Sequence, residues 1–245
     1  MRTLALMAIL LAVAMPALAA LTPEDRAEVA GIVAAYIRDN PDKVMQALQD
    51  GQGKILQAQQ AKAEARIAEH MGALTGPDVP AVGNLTNPDM VVVEAFDYNC
   101  IHCHRAMESV RALLVADPGV QVRFVDMPML AASSNLAARW ALASDAQGQY
   151  WNFHQALMTH KGQIDERVLE AAARALGLDI GRLRADADGS EVAARLARIA
   201  DVVGDIGLQG VPTFIVGGRL YAGYLSAAEL KAAVARARAE ASEAQ

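Results

Sequence analysis

Cysteine is almost missing from this sequence, occurring at Cys100 and Cys103 alone among 245 residues. A four-ligand structural zinc site needs a second pair of ligands, and His70, His104, His154 and His160 show no such pairing. Basic residues are outnumbered too. Twenty-two Lys and Arg against 28 Asp and Glu give a net charge of −6, so no nucleic-acid partner is expected. No apolar run reaches the roughly 20 residues that span a bilayer. The stretch from Leu4 to Met15, preceded by Arg2 and followed by Pro16 and Ala17-Leu18-Ala19, instead reads as a secretory signal peptide over residues 1–19, with an uncleaved anchor as the alternative. Export places both cysteines in an oxidising compartment. Strand patterns are absent from Leu21 to about Leu74.

What the chain does contain is one dense motif. Val91, Val92, Val93, Ala95 and Phe96 make a near-continuous apolar run, the pattern of a strand buried on both faces. Arg105 to Leu114 then repeats apolar residues at helical spacing, with Cys100-Ile101-His102-Cys103 between the two. A cysteine at such a junction sits at a helix N-terminus, where free backbone N–H groups and the macrodipole favour an anion. The thiolate of Cys100 is therefore expected to form more readily than that of a free cysteine. Cys103 faces the same side of the first turn and can close a disulfide with little backbone movement. His102, when protonated, adds positive charge beside the thiolate, and stabilising the reduced form makes the disulfide more oxidising.

Glu94 is the odd residue in the apolar run. An unpaired charge is costly to bury, so its expected use is as a proton relay for Cys103. Other readings of the same residues are half a zinc site, a structural disulfide (which a short loop makes a weak stabiliser), His102 as a surface residue, and Glu94 as an edge-strand charge.

Along the chain, Thr22-Pro23-Glu24-Asp25 carries helix-start signals, and Val29, Ile32, Val33, Tyr36 and Ile37 supply one apolar face. Asn40-Pro41 starts a second helix; after a break at Gly51-Gln52-Gly53, Lys54 to Met71 reads as a third. So narrow an arm, residues 20–75, cannot bury its own stripe and is expected to pack on copies of itself, the alternative being a parent domain. Residues 76–89 read as a turn-rich linker into the domain at 90–245. Val120 to Met127 completes a right-handed βαβ unit with the first strand. A helical block over about 131–205 follows, then Gly210-Val211-Pro212-Thr213-Phe214 leading a strand, a Gly217-Gly218 hairpin and a last helix begun by Ser226. His154 and His160 read as surface or satisfied helical residues. The fold class is α/β, a mixed sheet with a helical insertion, preceded by an all-helical arm.

A strand ending Phe-Asp-Tyr-Asn-Cys-x-x-Cys, a helical insertion, and Gly-Val-Pro-Thr-Phe before a Gly-Gly hairpin resemble the thioredoxin-fold DsbA family of thiol-disulfide oxidoreductases, over about Val82 to Ala237. The helical arm further resembles the suppressor-of-copper-sensitivity C proteins, periplasmic members in which such an arm makes trimers. The resemblance implies a thioredoxin-like sheet, with Cys100 as the exposed attacking thiol, Cys103 as the buried resolving thiol, His102 as the thiolate-stabilising dipeptide residue and Glu94 as the buried acid beneath the site. Val211 and Pro212 match the cis-proline loop that pairs with an extended substrate peptide, and Ile101 joins them on the substrate side. Val211 stands where isomerases commonly carry Thr and oxidases such as DsbA carry Val.

These readings point to an exported, periplasmic oxidoreductase that needs no cofactor beyond its own disulfide. Its expected partners are unfolded or mis-oxidised client proteins, a membrane redox partner that resets the dithiol, and two further copies in a homotrimer built through the arm. An oligomer suits reshuffling of disulfides, a monomer suits dithiol oxidation. Two other roles compete: Cu(I) held by Cys100 and Cys103, helped by His102 or His104, since soft thiolates select that ion, and a peptide-binding chaperone that makes no use of the thiols.

Overall fold

The computed structural model describes residues 22–243; the leader assigned to residues 1–19 lies outside them. Helix α1, Pro23–Asp39, starts with the capping box its sequence predicts: the Thr22 hydroxyl accepts the Asp25 N–H at 3.1 Å and the Asp25 carboxylate accepts the Thr22 N–H at 3.0 Å. Helix α2 is one helix, Pro41–Leu74. The break expected at Gly51-Gln52-Gly53 does not form. Two glycines cost a helix only about 1 kcal/mol each relative to alanine, and neither a proline nor a capping residue interrupts the good helix formers on either side.

The chain divides into two units at Leu56–Gln57, inside α2. In the first unit α1 buries no residue. Val29, Ile32, Val33, Tyr36, Ile37, Met45, Leu48, Ile55 and Leu56 all remain exposed. The expected apolar stripe is therefore present and uncovered.

The second unit contains the last turns of α2 and a five-stranded sheet. In chain order it adds β1 (Ala81–Gly83), β2 (Met90–Phe96), α3 (Ile101–Ala116), β3 (Val120–Asp126), α4 (Ala132–Asp145), α5 (Tyr150–Thr159), α6 (Glu166–Ala175), α7 (Ile180–Asp188), α8 (Ser190–Ile206), β4 (Thr213–Val216), β5 (Arg219–Ala222) and α9 (Ala227–Glu243). The strand order is β1-β3-β2-β4-β5, with β2 parallel to β3 and the other pairs antiparallel. This is the mixed sheet with a helical insertion that the sequence predicts. Edge strand β1 lies inside the stretch read as a linker, since Val79 and Val82 there are buried apolar residues. The hairpin between β4 and β5 turns on Gly217 and Gly218, both at positive φ (58° and 79°), the backbone a tight hairpin requires and glycine supplies without strain.

Side chains alternate across the sheet and both faces are covered. Val92, Phe96, Val122, Phe124 and Phe214 join a core with α3, α4, α5 and α9, while Val93, Ala95, Val125 and Ile215 join a second core with Ile199, Val203 and Ile206 of α8 and Ile67 and Leu74 of α2. Double coverage explains why β2 reads as an unbroken apolar run. It also fixes Glu94, which shares a face with Val92 and Phe96, on the α3 side of the sheet.

Ile67 is fully buried in this second unit and Val115 of α3 is 88% exposed. Ile67→Ala is expected to lower unfolding free energy by about 2–5 kcal/mol and Val115→Ala by less than about 0.5 kcal/mol, as read from urea unfolding followed by circular dichroism.

Candidate active site

The chain passes from β2 to α3 through Asp97, Tyr98, Asn99 and Cys100. Cys100 is the N-cap of α3, with extended backbone (φ −88°, ψ 112°), and its Sγ accepts the Cys103 N–H at 3.3 Å. The cap position explains why a sulfur sits here: a helix leaves its first N–H groups without partners, and a negative sulfur at that end satisfies one of them and faces the positive end of the dipole. The Cys100 carbonyl accepts from the N–H groups of both Cys103 and His104 at 3.0 Å, so the turn is held from both ends.

The two thiols are unequal. Cys100 keeps 6% of its surface and Cys103 none, so the attacking thiol is less open than the resemblance implies, because the Val211–Pro212 loop lies over it. The Cys100 thiol donates to the Val211 carbonyl at 3.5 Å, and the Val211–Pro212 peptide bond is cis. The loop is held in turn by the segment just after β5: the Gly223 N–H donates to the Pro212 carbonyl at 2.8 Å, and the neighbouring Tyr224 ring lies under the Arg105 guanidinium of α3, 4.5 Å from its centre. Burial pushes the Cys103 thiol up, reinforced by its hydrogen bond with Cys100 and by the charge of Glu94.

Glu94 is 1% exposed and burial raises its carboxyl to about 8. Its Oε2 has no hydrogen-bond partner among the described residues. A carboxyl held neutral by burial near a buried thiol can hand a proton to it or take one from it. The structure thus gathers Cys100, Cys103, Glu94, Val211 and Pro212 around one thiol pair. Ile101 and His102 project from the first turn instead, with Ile101 67% exposed and His102 exposed.

Several polar residues around the site were not assigned any role from the sequence. The Tyr98 hydroxyl and Nδ1 of His154 are hydrogen-bonded at 3.0 Å, deep in the α3-side core. Burial lowers His154 to about 3, so the ring is neutral, packed edge-on against Phe96 and stacked on Trp151. The satisfied reading of His154 therefore holds and the surface reading does not. Asp126, at the end of β3, is a second buried carboxyl, driven well above its usual range by burial, and neither of its oxygens has a partner among the described residues. Its place in a strand between apolar residues was the signal, the same one that marks Glu94.

Residues 91–235 match the DSBA-like thioredoxin domain. The chain belongs to this family. A thioredoxin-like oxidoreductase from Silicibacter pomeroyi DSS-3 is 40% identical, over 68% of this chain and 96% of that one, with a TM-score of 0.65. Proteus mirabilis ScsC in a transitional conformation is 24% identical and shares the fold over 91% of this chain and 99% of its own, with a TM-score of 0.66. Among curated relatives, the Na(+)/H(+) antiporter NhaA 3 of Salinispora tropica is 32% identical over 167 residues, which are 67% of this chain; the chain spans only 26% of that protein's length. No helix among the described residues is long and apolar enough to cross a membrane. The thioredoxin-like sheet with its helical insertion and the DsbA-type oxidoreductase scaffold are thus established for this chain.

In this DsbA-like site the buried acid leaves a pH signature. The Glu94 carboxyl is raised from about 4.5 to about 8 on folding, so the folded protein holds a proton that the unfolded chain releases. Its contribution to stability is complete below about pH 4.5 and is lost as pH rises through about 8. Glu94→Gln, which removes that titration, is expected to flatten the fall in stability between pH 5 and 8; urea midpoints across this range check it, and a parallel pair of curves rejects it.

Proposed function

We propose that the protein is an exported thiol-disulfide oxidoreductase acting on client proteins. The observation that carries this reading is the Cys100 sulfur capping α3 beneath the cis-proline loop, 3.5 Å from the Val211 carbonyl, with a fully buried second thiol one turn behind it. In the oxidising direction a client thiolate attacks the Sγ of Cys100 in the Cys100–Cys103 disulfide. The mixed disulfide forms and Cys103 leaves as a thiolate, which takes up a proton. A second client thiolate then attacks the client sulfur of the mixed disulfide, releasing Cys100 as a thiolate at the helix N-terminus, where an anion is favoured. The client loses two electrons and the dithiol gains them. Glu94 would supply and remove the proton at Cys103, whose bare thiolate is disfavoured by burial. A membrane redox partner would return the dithiol to the disulfide, in the periplasm.

The uncovered apolar stripe on α1 and the first half of α2 supports assembly of several copies, with a homotrimer as the expected form. Several sites facing one client suit isomerisation. Val211 before the proline supports oxidation instead, so a monomeric dithiol oxidase is the competing reading. Two adjacent soft thiols would also suit a Cu(I) ion as cargo. His104 hydrogen-bonds the Tyr98 carbonyl through Nε2 at 2.8 Å, which leaves Nδ1 as its nitrogen for such an ion.

Cys100→Ala is expected to abolish turnover of a reduced or scrambled substrate; with a scrambled substrate, whose disulfide the Cys100 thiolate attacks, Cys103→Ala is expected to accumulate mixed disulfides visible on a non-reducing gel, because the resolving thiol is gone; turnover surviving Cys100→Ala would reject the reading and favour a thiol-independent chaperone. Removing residues 22–56 spares Ile67 and Leu74, which the second unit buries. The shortened protein is expected to be monomeric by native mass measurement, to retain dithiol oxidation and to lose isomerisation. A full-length mature chain that is itself monomeric would leave oxidase as the function.

A further inference from the structure

Asp97 is 2% exposed, yet its carboxylate accepts four hydrogen bonds. One carboxylate oxygen, Oδ1, accepts the Asn99 N–H at 2.7 Å and the Ser134 hydroxyl at 2.7 Å. The other, Oδ2, accepts the N–H groups of Met129 and Leu130, both at 2.9 Å. The main-chain carbonyl of Asp97 accepts the Cys100 N–H at 3.1 Å. Asn99 adds a second layer, its side-chain amide donating to the hydroxyls of Ser133 and Ser134 at 3.1 and 2.9 Å. Two segments remote in sequence, the turn carrying Cys100 and the stretch 129–134, are therefore joined through one buried side chain.

The side chains held by this arrangement are unusual for a surface. Met129 is 51% exposed and Leu130 53%, beside a redox turn whose Ile101 is 67% exposed. Large apolar side chains exposed on a backbone that is tied to the redox turn suit an extended apolar client segment that brings its own cysteine to Cys100. A single exposed apolar residue needs no explanation; here two of the three are tied by their main chain to the carboxylate that also orders the turn before Cys100.

Building on the oxidoreductase reading, we propose that Asp97 is a positioning residue for client capture: it locks the Met129–Leu130 segment to the redox turn, so that an apolar client segment and Sγ of Cys100 are presented in one register. The chemistry of the link favours a carboxylate. All four of its hydrogen bonds come from donors, three of them backbone N–H groups that cannot reverse. The amide of an asparagine would turn its NH2 against either Asn99 or the pair at Met129 and Leu130, breaking one side of the link while preserving shape.

The test compares two substrates, a reduced unfolded protein and the small dithiol dithiothreitol, with wild type, Asp97→Asn and the double variant Met129→Ala/Leu130→Ala. For both variants kcat/KM toward the unfolded client is expected to fall about tenfold or more, mostly through KM, while exchange with dithiothreitol falls about two- to threefold. Combining Asp97→Asn with the double variant should add little, because coupled residues are not additive. A fall of equal size for both substrates, or no loss with the client, overturns the proposal. Should Asp97→Asn fail to fold, the Met129/Leu130 variant decides alone, since both side chains are exposed. Wild-type protein that exchanges with neither substrate would reject the oxidoreductase reading itself, a different failure.

Discussion

The site depends on the meeting of a helix end with a sulfur. Cys100 caps α3 and takes the Cys103 N–H onto its Sγ, so the same atom that would carry negative charge through exchange is the one the first helical turn needs as an acceptor. Everything nearby serves that placement. β2 delivers the turn from the middle of the sheet, β3 and β4 flank it and remove it from solvent, and the Val211–Pro212 loop closes over the sulfur from the end of α8.

Burial then separates the roles of otherwise similar groups. Two cysteines three residues apart differ because one lies under a loop and the other lies inside the core against Glu94, where an anion is disfavoured. Glu94 and Asp97, both buried carboxyls close to the thiols, differ in the same way. Asp97 receives four hydrogen bonds that a carboxylate can accept, while Glu94 has an oxygen with none and is driven toward its neutral form. One acid ties main-chain segments together and the other is held neutral by burial. The Tyr98–His154 pair, satisfied by its own hydrogen bond and enclosed by aromatic rings, fixes the start of the turn from the interior side.

The arm presents a different problem. Its apolar residues recur at helical spacing on a unit that buries none of them within α1, and a stripe of that kind is stable in water when another surface covers it. The helix that carries it does not end where the unit ends: α2 continues past Gln57 and contributes Ile67 and Leu74 to the core beside α8.

The sequence by itself determined the strand-to-helix junction, the thiol pair, the paired glycines of the hairpin and the helical character of the arm, because each is written in local spacing and in residues with few conformational choices. It also marked Glu94, through the anomaly of a charge in an apolar run. It misled at Gly51-Gln52-Gly53, where helix propensity on either side carries α2 through, and it could not show that Ala81–Gly83 forms an edge strand or that His154 is buried, since these two outcomes rest on partners remote in the chain. The joining of Asp97 to Met129 and Leu130 belongs to the same class. An aspartate before a Cys-x-x-Cys looks like an ordinary turn residue, and only the tertiary structure, by bringing residues 32 and 33 positions away within 2.9 Å, decides that it is a buried link between the redox turn and the surface beside it.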